Sequence, residues 1–230
     1  MLTLLHPPSR LWRCLSACAM VMLTLLPQQL AQAENSAANT LTAFQTSLVP
    51  SVVYISNDGH IHEIALKGSW QDRDLTAAAG APLTASGYVY AMPYRRSDGV
   101  SMIVYRGADN HAHSLHLELR QVGSAWQELW HWADLTQLTG SPLTNCDPYP
   151  YVRSDGISTV IYAGGDGHVH ELRLQGGWIG ADLTAMSGAP AASGCPIAYV
   201  RGDGINAIVY NSGDHIHELR LDNGWEVSDL

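Results

Sequence analysis

One short phrase recurs along this chain and governs what it can fold into. It reads NDGHIHEIALKGSW at 57–70, GGDGHVHELRLQGGW at 164–178 and SGDHIHELRLDNGW at 212–225, with a diverged copy, ADNHAHSLHLELRQVGSAW, at 108–126. Each copy runs on to Asp-Leu, at Asp74, Asp134, Asp182 and Asp229. The second His of the pair precedes that Asp by 12 residues in copies one, three and four and by 21 in copy two. The last two Asp-Leu pairs are 47 residues apart and the pair before them 48. Between copies stand a Gly-Ala-Pro or Gly-Ser-Pro turn (Gly80, Gly140, Gly188), a Tyr/Val/Arg run and an Asp-Gly turn (Asp98, Asp155, Asp203). A period of this length that cannot bury its own apolar face must stack against its neighbours.

The last unit divides into four strand-like stretches, Pro196–Arg201, Asn206–Asn211, His215–Leu221 and Trp225–Leu230, separated by Gly- and Asp-rich turns. Four short antiparallel strands per period predict an all-β protein, a β-propeller of about four four-stranded blades of ~47 residues occupying 41–230. Association of chains would complete a ring of so few blades. The first blade is weakest at its innermost strand, for which Leu41–Leu48 is the candidate. Composition agrees: Phe occurs once, whereas Tyr, Trp and Gly number 10, 7 and 21.

The N-terminus is a separate object. Arg10 and Arg13 precede an apolar run from Leu15 to Leu26, too short to span a bilayer, and Ala31-Gln32-Ala33 supplies small residues for cleavage. Residues 1–33 are expected to be a signal peptide and 34–40 a linker, for a secreted or periplasmic protein with no further membrane span. Losing Arg10 and Arg13 takes the formal charge from −9 to −11, a poor match for nucleic acid. Cys14 and Cys18 leave with the leader. Cys146 and Cys195 remain at nearly the same repeat position, and a disulfide between them would join blades three and four if their Cα atoms lie within about 7 Å.

The stretch VIYAGGDGHVHELRLQGGWIGADLT resembles the repeats of bacterial β-propeller proteins grouped with fucose-specific and tectonin-like lectins. The resemblance covers nearly all of 41–230. It implies a propeller whose sugar sites lie between blades, each made by an Arg, a Glu and an aromatic ring. The Glu falls on Glu63, Glu171 and Glu218, with Ser114 in copy two, while the Arg position falls on Thr159 and Met102. Fucosylated or related glycans are the implied partners.

The residues themselves carry the elements of a saccharide site. A sugar needs an aromatic plate for its C–H face and planar polar groups for its hydroxyls. The chain repeats Trp70, Trp126, Trp178 and Trp225, with Glu63, Glu171 and Glu218, and with Arg96, Arg153 and Arg201 two residues after Tyr94, Tyr151 and Tyr199. Copy two carries nine extra residues, and there AWQELWHWADLT gathers Trp126, Trp130, His131 and Trp132. Insertions in repeat proteins map to loops and often to the binding face.

The His pairs (His60 and His62, His168 and His170, His215 and His217) have the i, i+2 spacing that could chelate zinc on one strand face. A pattern present in every copy points instead to the packing of the unit, with each imidazole bonded inside its own blade. No cofactor is expected. No Ser elbow, phosphate loop or HExxH stretch occurs. The readings that remain are a carbohydrate-binding propeller, a protein-interaction propeller of the cell envelope, and, more remotely, a glycosidase or metal-dependent hydrolase.

Overall fold

The computed structural model describes residues 41–46, 49–87 and 89–230. The expected leader and linker lie outside the described residues. Four antiparallel up-and-down sheets follow one another along the chain. Blade 1 holds β1 (Thr42–Gln45), β2 (Pro50–Ile55), β3 (Ile61–Lys67) and β4 (Ser69–Asp74). Blade 2 holds β5 (Met92–Arg95), β6 (Ser101–Arg106), β7 (Ala112–Val122) and β8 (Ala125–Asp134). Blade 3 holds β9 (Tyr149–Val152), β10 (Ser158–Ala163), β11 (Val169–Leu174) and β12 (Trp178–Asp182). Blade 4 holds β13 (Ile197–Val200), β14 (Asn206–Ser212), β15 (His215–Leu221) and β16 (Trp225–Asp229). The innermost strands meet in series, β1 with β5, β5 with β9 and β9 with β13. The expected four-bladed, propeller-type all-β architecture is what the chain forms. None of the described helices is long and apolar enough to cross a membrane.

The core lies between blades. Period-2 alternation gives each blade two apolar faces, and the two faces are of different kinds. Ile161, Val169 and Leu183 of blade 3 pack against Ile208, Tyr210, Leu219 and Trp225 of blade 4. Val104, Ala112 and Leu135 of blade 2 meet Val160, Tyr162 and Leu172 of blade 3 in the same manner. Blades 1 and 2 repeat the arrangement with Val53, Ile61 and Leu75 against Ile103, Tyr105 and Leu115. At the two ends the pattern stops. Ile216 and Leu230 are 49% and 72% exposed, although their counterparts Val169 and Leu183 are fully buried. At the other end Trp70 is 57% exposed, against 9% for Trp225.

The first three Asp-Leu pairs each open a short helix. The helices are α1 (Leu75–Ala79), α2 (Leu135–Thr139) and α3 (Leu183–Ser187). Asp74, Asp134 and Asp182 accept the backbone N–H three residues on, each at 2.8 Å, and so cap the exposed donors of the first turn. Gly80, Gly140 and Gly188 end the helices in the left-handed conformation. The following prolines have a purpose of their own. The Tyr105, Tyr162 and Tyr210 hydroxyls donate to the Pro82, Pro142 and Pro190 carbonyls at 2.9–3.0 Å, tying each blade to the preceding connection.

The histidines are built into this frame. The first His of each pair sets Nδ1 2.7–2.9 Å from a carboxylate oxygen of the capping Asp, in His60–Asp74, His111–Asp134, His168–Asp182 and His215–Asp229. The second faces a Tyr across the ladder, as His170 faces Tyr162 with ring centroids 5.4 Å apart. Its Nε2 lies 3.0 Å from Asp166, and His113 makes the same contact to Asp109. His62 differs, with Nδ1 3.2 Å from Asp72. Gly107 and Gly164 lie under these pairs. A Cβ on Gly164 would stand 2.4 Å from Asp166 Oδ1 and 2.9 Å from the His170 ring, so only glycine fits.

Candidate functional site

Several of the predicted ligand residues lie between successive blades, Glu171, Arg153 and Trp225 among them, and each junction is built differently. The fullest lies between blades 3 and 4. On β11 Glu171 shares a face with Val169, which turns it toward blade 4, and it is fully buried. Its two oxygens accept from Arg153 (Nη1–Oε1 3.1 Å) and Arg173 (Nη1–Oε2 3.3 Å). Arg153 sits just beyond β9, and its other amino group donates to Asp155 of the Asp-Gly turn at 2.7 Å. The guanidinium stays charged because the two carboxylates outweigh the cost of burial. Tyr151 and Trp225 pack in the same interblade cluster. Burial pushes the Tyr151 hydroxyl up, so it remains a neutral donor. Ser154 N–H donates to Asn206 Oδ1 at 2.8 Å, locking the turn of blade 3 onto blade 4.

Blade 4 repeats the set on its free side. Arg201 donates to Glu218 at 3.2 Å and to Asp203 at 2.9 Å, and Tyr199 donates to Glu218 at 3.3 Å. Among the described residues no further blade covers it, and Tyr199 is 45% exposed where Tyr151 is 8%.

The cleft between blades 1 and 2 is sealed. Buried Glu63 accepts from Ser51 at 2.8 Å, and burial raises its carboxyl above the usual range. Lys67 and Arg73 reach across to Glu128 of blade 2, Arg73 at 3.2 Å. A cavity of about 800 Å³ lies elsewhere, among the turns and connections around Asp58, Thr84, Arg106 and Asn110. No predicted ligand residue lines it.

Between blades 2 and 3 the acid is missing. Ser114 holds the position of Glu171 and is buried, and two residues along β7 His116 stands opposite Met102, which accepts from the Tyr94 hydroxyl at 3.4 Å. Arg96 keeps its turn partner Asp98. His116 and His131 stand opposite one another across β7 and β8 with ring centroids 5.6 Å apart. His131 Nε2 is 2.7 Å from Glu118. Burial lowers the His116 pKa, and the charges of His131 and Arg96 lower it further.

The register moves one aromatic. Trp130, opposite Leu117, occupies the place that Trp70, Trp178 and Trp225 take opposite Leu66, Leu174 and Leu221. Trp126, predicted for that place, sits near the tip of the long β7–β8 hairpin, opposite Gln121 and 63% exposed. Trp132 is 40% exposed and its ring meets His113 edge-on. Spacing to the Asp-Leu pair would have found Trp130. It precedes Asp134 by four residues, as Trp70, Trp178 and Trp225 precede Asp74, Asp182 and Asp229.

The arginine arrives from an unexpected strand. The resemblance put it at Thr159 and Met102 on the second strand of the blade, and those positions hold buried Thr and Met. The guanidinium comes instead from the end of the innermost strand, through Arg153 and Arg201.

Among the described residues, Asp166, His168 and Asp182 bring three potential ligand atoms within 4.8 Å of one another, and so could hold a divalent cation. All three already serve the blade. Asp166 holds His170, while Asp182 caps α3 and holds His168. Cys146 and Cys195 are free thiols in hydrogen-bond contact across the boundary of blades 3 and 4.

No protein-family model and no curated protein matches this chain. Among solved structures, the SapL1 lectin bound to α-methyl fucoside is similar, with 16% identity and a TM-score of 0.48, over 83% of this chain and 62% of that one. AofleA from Arthrobotrys oligospora gives 11% identity and a TM-score of 0.49 over 83% and 56%. An Aleuria aurantia lectin mutant bound to α-methyl-L-fucoside gives 11% and 0.48 over 83% and 60%. The chain thus spans about three fifths of the length of these structures.

Proposed function

We propose that this protein is an exported carbohydrate-binding propeller protein whose sites are the clefts between blades. The observation that carries the reading is the buried Glu171 held between Arg153 and Arg173, in a cleft that Tyr151 and Trp225 also line. The carboxylate fixes the two guanidinium groups, whose remaining N–H donors can engage adjacent sugar hydroxyls in a set orientation while the aromatic rings cover an apolar face. Arg201, Glu218 and Tyr199 repeat the chemistry on blade 4. We read the clefts as binding rather than catalytic, because both oxygens of Glu171 are taken up by guanidinium donors. The uncovered ends of the blade array supply two complementary apolar faces, and a second copy docked head to tail would complete the cleft of blade 4 with its own Trp70.

The test is a glycan array with the purified protein, with α-methyl fucoside as a soluble competitor, and its mass in solution recorded on the same sample. Sugar-inhibitable binding abolished by Arg153→Met supports the reading. A folded protein silent on the array overturns it. Trp126, Trp132 and Val122, exposed on one long hairpin, favour a second reading, a protein partner docking there. Mutating that hairpin would then remove the partner and leave the clefts untouched.

A further inference from the structure

The repeat makes the cleft between blades 2 and 3 legible by difference. In blades 3 and 4 the arginine after the innermost strand donates Nη2 to its turn aspartate and Nη1 to a buried glutamate: Arg153 to Asp155 and Glu171, Arg201 to Asp203 and Glu218. In blade 2 the first half is retained, Arg96 to Asp98, and the second is gone, because the glutamate position is Ser114. Arg96 Nε is buried without a partner, as Arg153 Nε is, so the two guanidinium groups differ only in the missing glutamate. An arginine edge that elsewhere binds a carboxylate of its own blade is here left for one from outside.

The neighbouring positions change in the same sense. On β7 the place of Arg173 is His116, and on β8 the place of Ile179 is His131. His116, half-buried, is thus close enough to feel the charge of the guanidinium, and His131, 46% exposed at the side chain, stands opposite His116 on the outer strand. The one nearby acid on this hairpin, Glu118, is occupied by His131 and half in solvent. Trp178 of blade 3 packs against the same interblade cluster and offers the aromatic wall.

We propose that this cleft binds an acidic saccharide, whose carboxylate takes the place at Arg96 that Glu171 takes at Arg153. Arg96 supplies a planar pair of donors, and His116 and His131 donate to the acid or to the hydroxyls beside it. This rests on the reading that the clefts hold sugars, and it divides them by ligand. The cleft of blades 3 and 4 carries its own carboxylate and takes neutral sugars, while the cleft of blades 2 and 3 takes a sugar that brings one.

The experiment is a calorimetric titration of the purified protein with methyl glucuronide and with methyl glucoside, at neutral pH and low salt. A charge-assisted contact of this kind is expected to favour the glucuronide by about ten- to a hundredfold. Arg96→Met abolishes that preference, while Leu138→Ala on the exposed side of α2 leaves it. Ser114→Glu restores the internal partner and removes the preference too. Because Ser114 is buried, Arg96→Gln serves as a second variant should Ser114→Glu fail to fold. Equal affinity for the two glycosides, or a preference that survives Arg96→Met, overturns the proposal. If neutral sugars bind through Arg153 while the glucuronide gains nothing, the acidic cleft falls and the sugar reading stands. If no glycoside binds, both fall.

Discussion

Glu171→Ala should be among the most damaging single substitutions in this protein, and its cost can be worked from the contacts. Glu171 is fully buried, and the Arg153 side chain is 11% exposed. Truncating the acid leaves a largely buried guanidinium without one of its two carboxylates, a change that costs about 3–5 kcal/mol when the partner is fully lost. Arg153 keeps Asp155 at 2.7 Å, so the lower end applies, about 3 kcal/mol. For a protein of this size that is a fall in Tm of roughly 6–12 °C. Glu171→Gln retains an amide oxygen facing Arg153 but turns an NH2 donor toward Arg173, so it loses the charge and one accepted hydrogen bond, and about 2 kcal/mol is expected. Ser114→Ala, at the equivalent position of blade 2, has no charge to orphan and should cost under about 1 kcal/mol. The assay is urea unfolding followed by tryptophan fluorescence, comparing midpoints at constant slope. A loss below about 1 kcal/mol for Glu171→Ala would refute the reasoning, because Glu171 would then be solvated rather than held by the cleft.

Acid should unfold the protein through its capping and turn carboxylates. Burial opposes ionisation of Asp109, Asp134, Asp166 and Asp182, but backbone N–H groups and the histidines outweigh it and hold all four below the usual range. Their contribution is complete above an ordinary Asp pKa and is lost as pH falls through the lower folded values, so Asp166→Asn or Asp182→Asn should flatten a Tm profile taken between pH 2 and 5. The hydrogen bond to Asp182 raises His168, whose contribution is complete below its unfolded pKa and fades as pH rises through the folded one. In reductant, the hydrogen bond from Cys146 lowers the Cys195 thiol to about 7, against the effect of burial, and raises Cys146. Iodoacetamide at pH 7.5 should therefore alkylate Cys195 first, and peptide mapping that finds Cys146 first would contradict the geometry. At the ends of the array, Ile216→Asp and Trp70→Ser should each lower the mass measured by light scattering if the faces pair between copies, and a wild-type monomer at high concentration would end that idea.

Most of the fold was legible because the repeat fixes period, strand count and turn positions together. The strands of blade 4 fall within two residues of those read from the sequence, since Asp203-Gly204, Gly213-Asp214 and Asn223-Gly224 turns separate them. The helices were not legible. Five residues such as Leu75–Ala79 complete little more than one turn, too few to show an amphipathic period, and their Asp cap and left-handed Gly have the signature of a turn. The candidate site was legible as a residue list and not as pairs. Arg153 and Glu171 are 18 residues apart on strands that do not adjoin, so only the order β9-β10-β11 with β10 between them brings the two side chains together. Trp130 was misplaced because copies were aligned from their histidines, across the insertion, instead of from Asp134.

The same comparison separates framework from site. Tyr162 with His170, the Asp166 below it and the glycine that admits them reappear with little change in blade 2 as Tyr105, His113, Asp109 and Gly107. These groups are turned into their own blade. His170 is 3% exposed, with its ring on Tyr162 and Nε2 on Asp166, so recruiting it to a metal would dismantle the contacts that shape the hairpin. The cleft positions behave oppositely. Glu63, Ser114, Glu171 and Glu218 occupy one register position and differ in chemistry: Glu63 meets a serine, Glu171 two arginines, Glu218 an arginine and a tyrosine, and Ser114 brings no acid at all. A blade tolerates such changes because they lie on its neighbour's side of the sheet and leave the hairpin contacts intact. The chemistry of this protein is therefore to be sought where its blades differ, and the histidine phrase by which it is first recognised belongs to the part that holds the blades up.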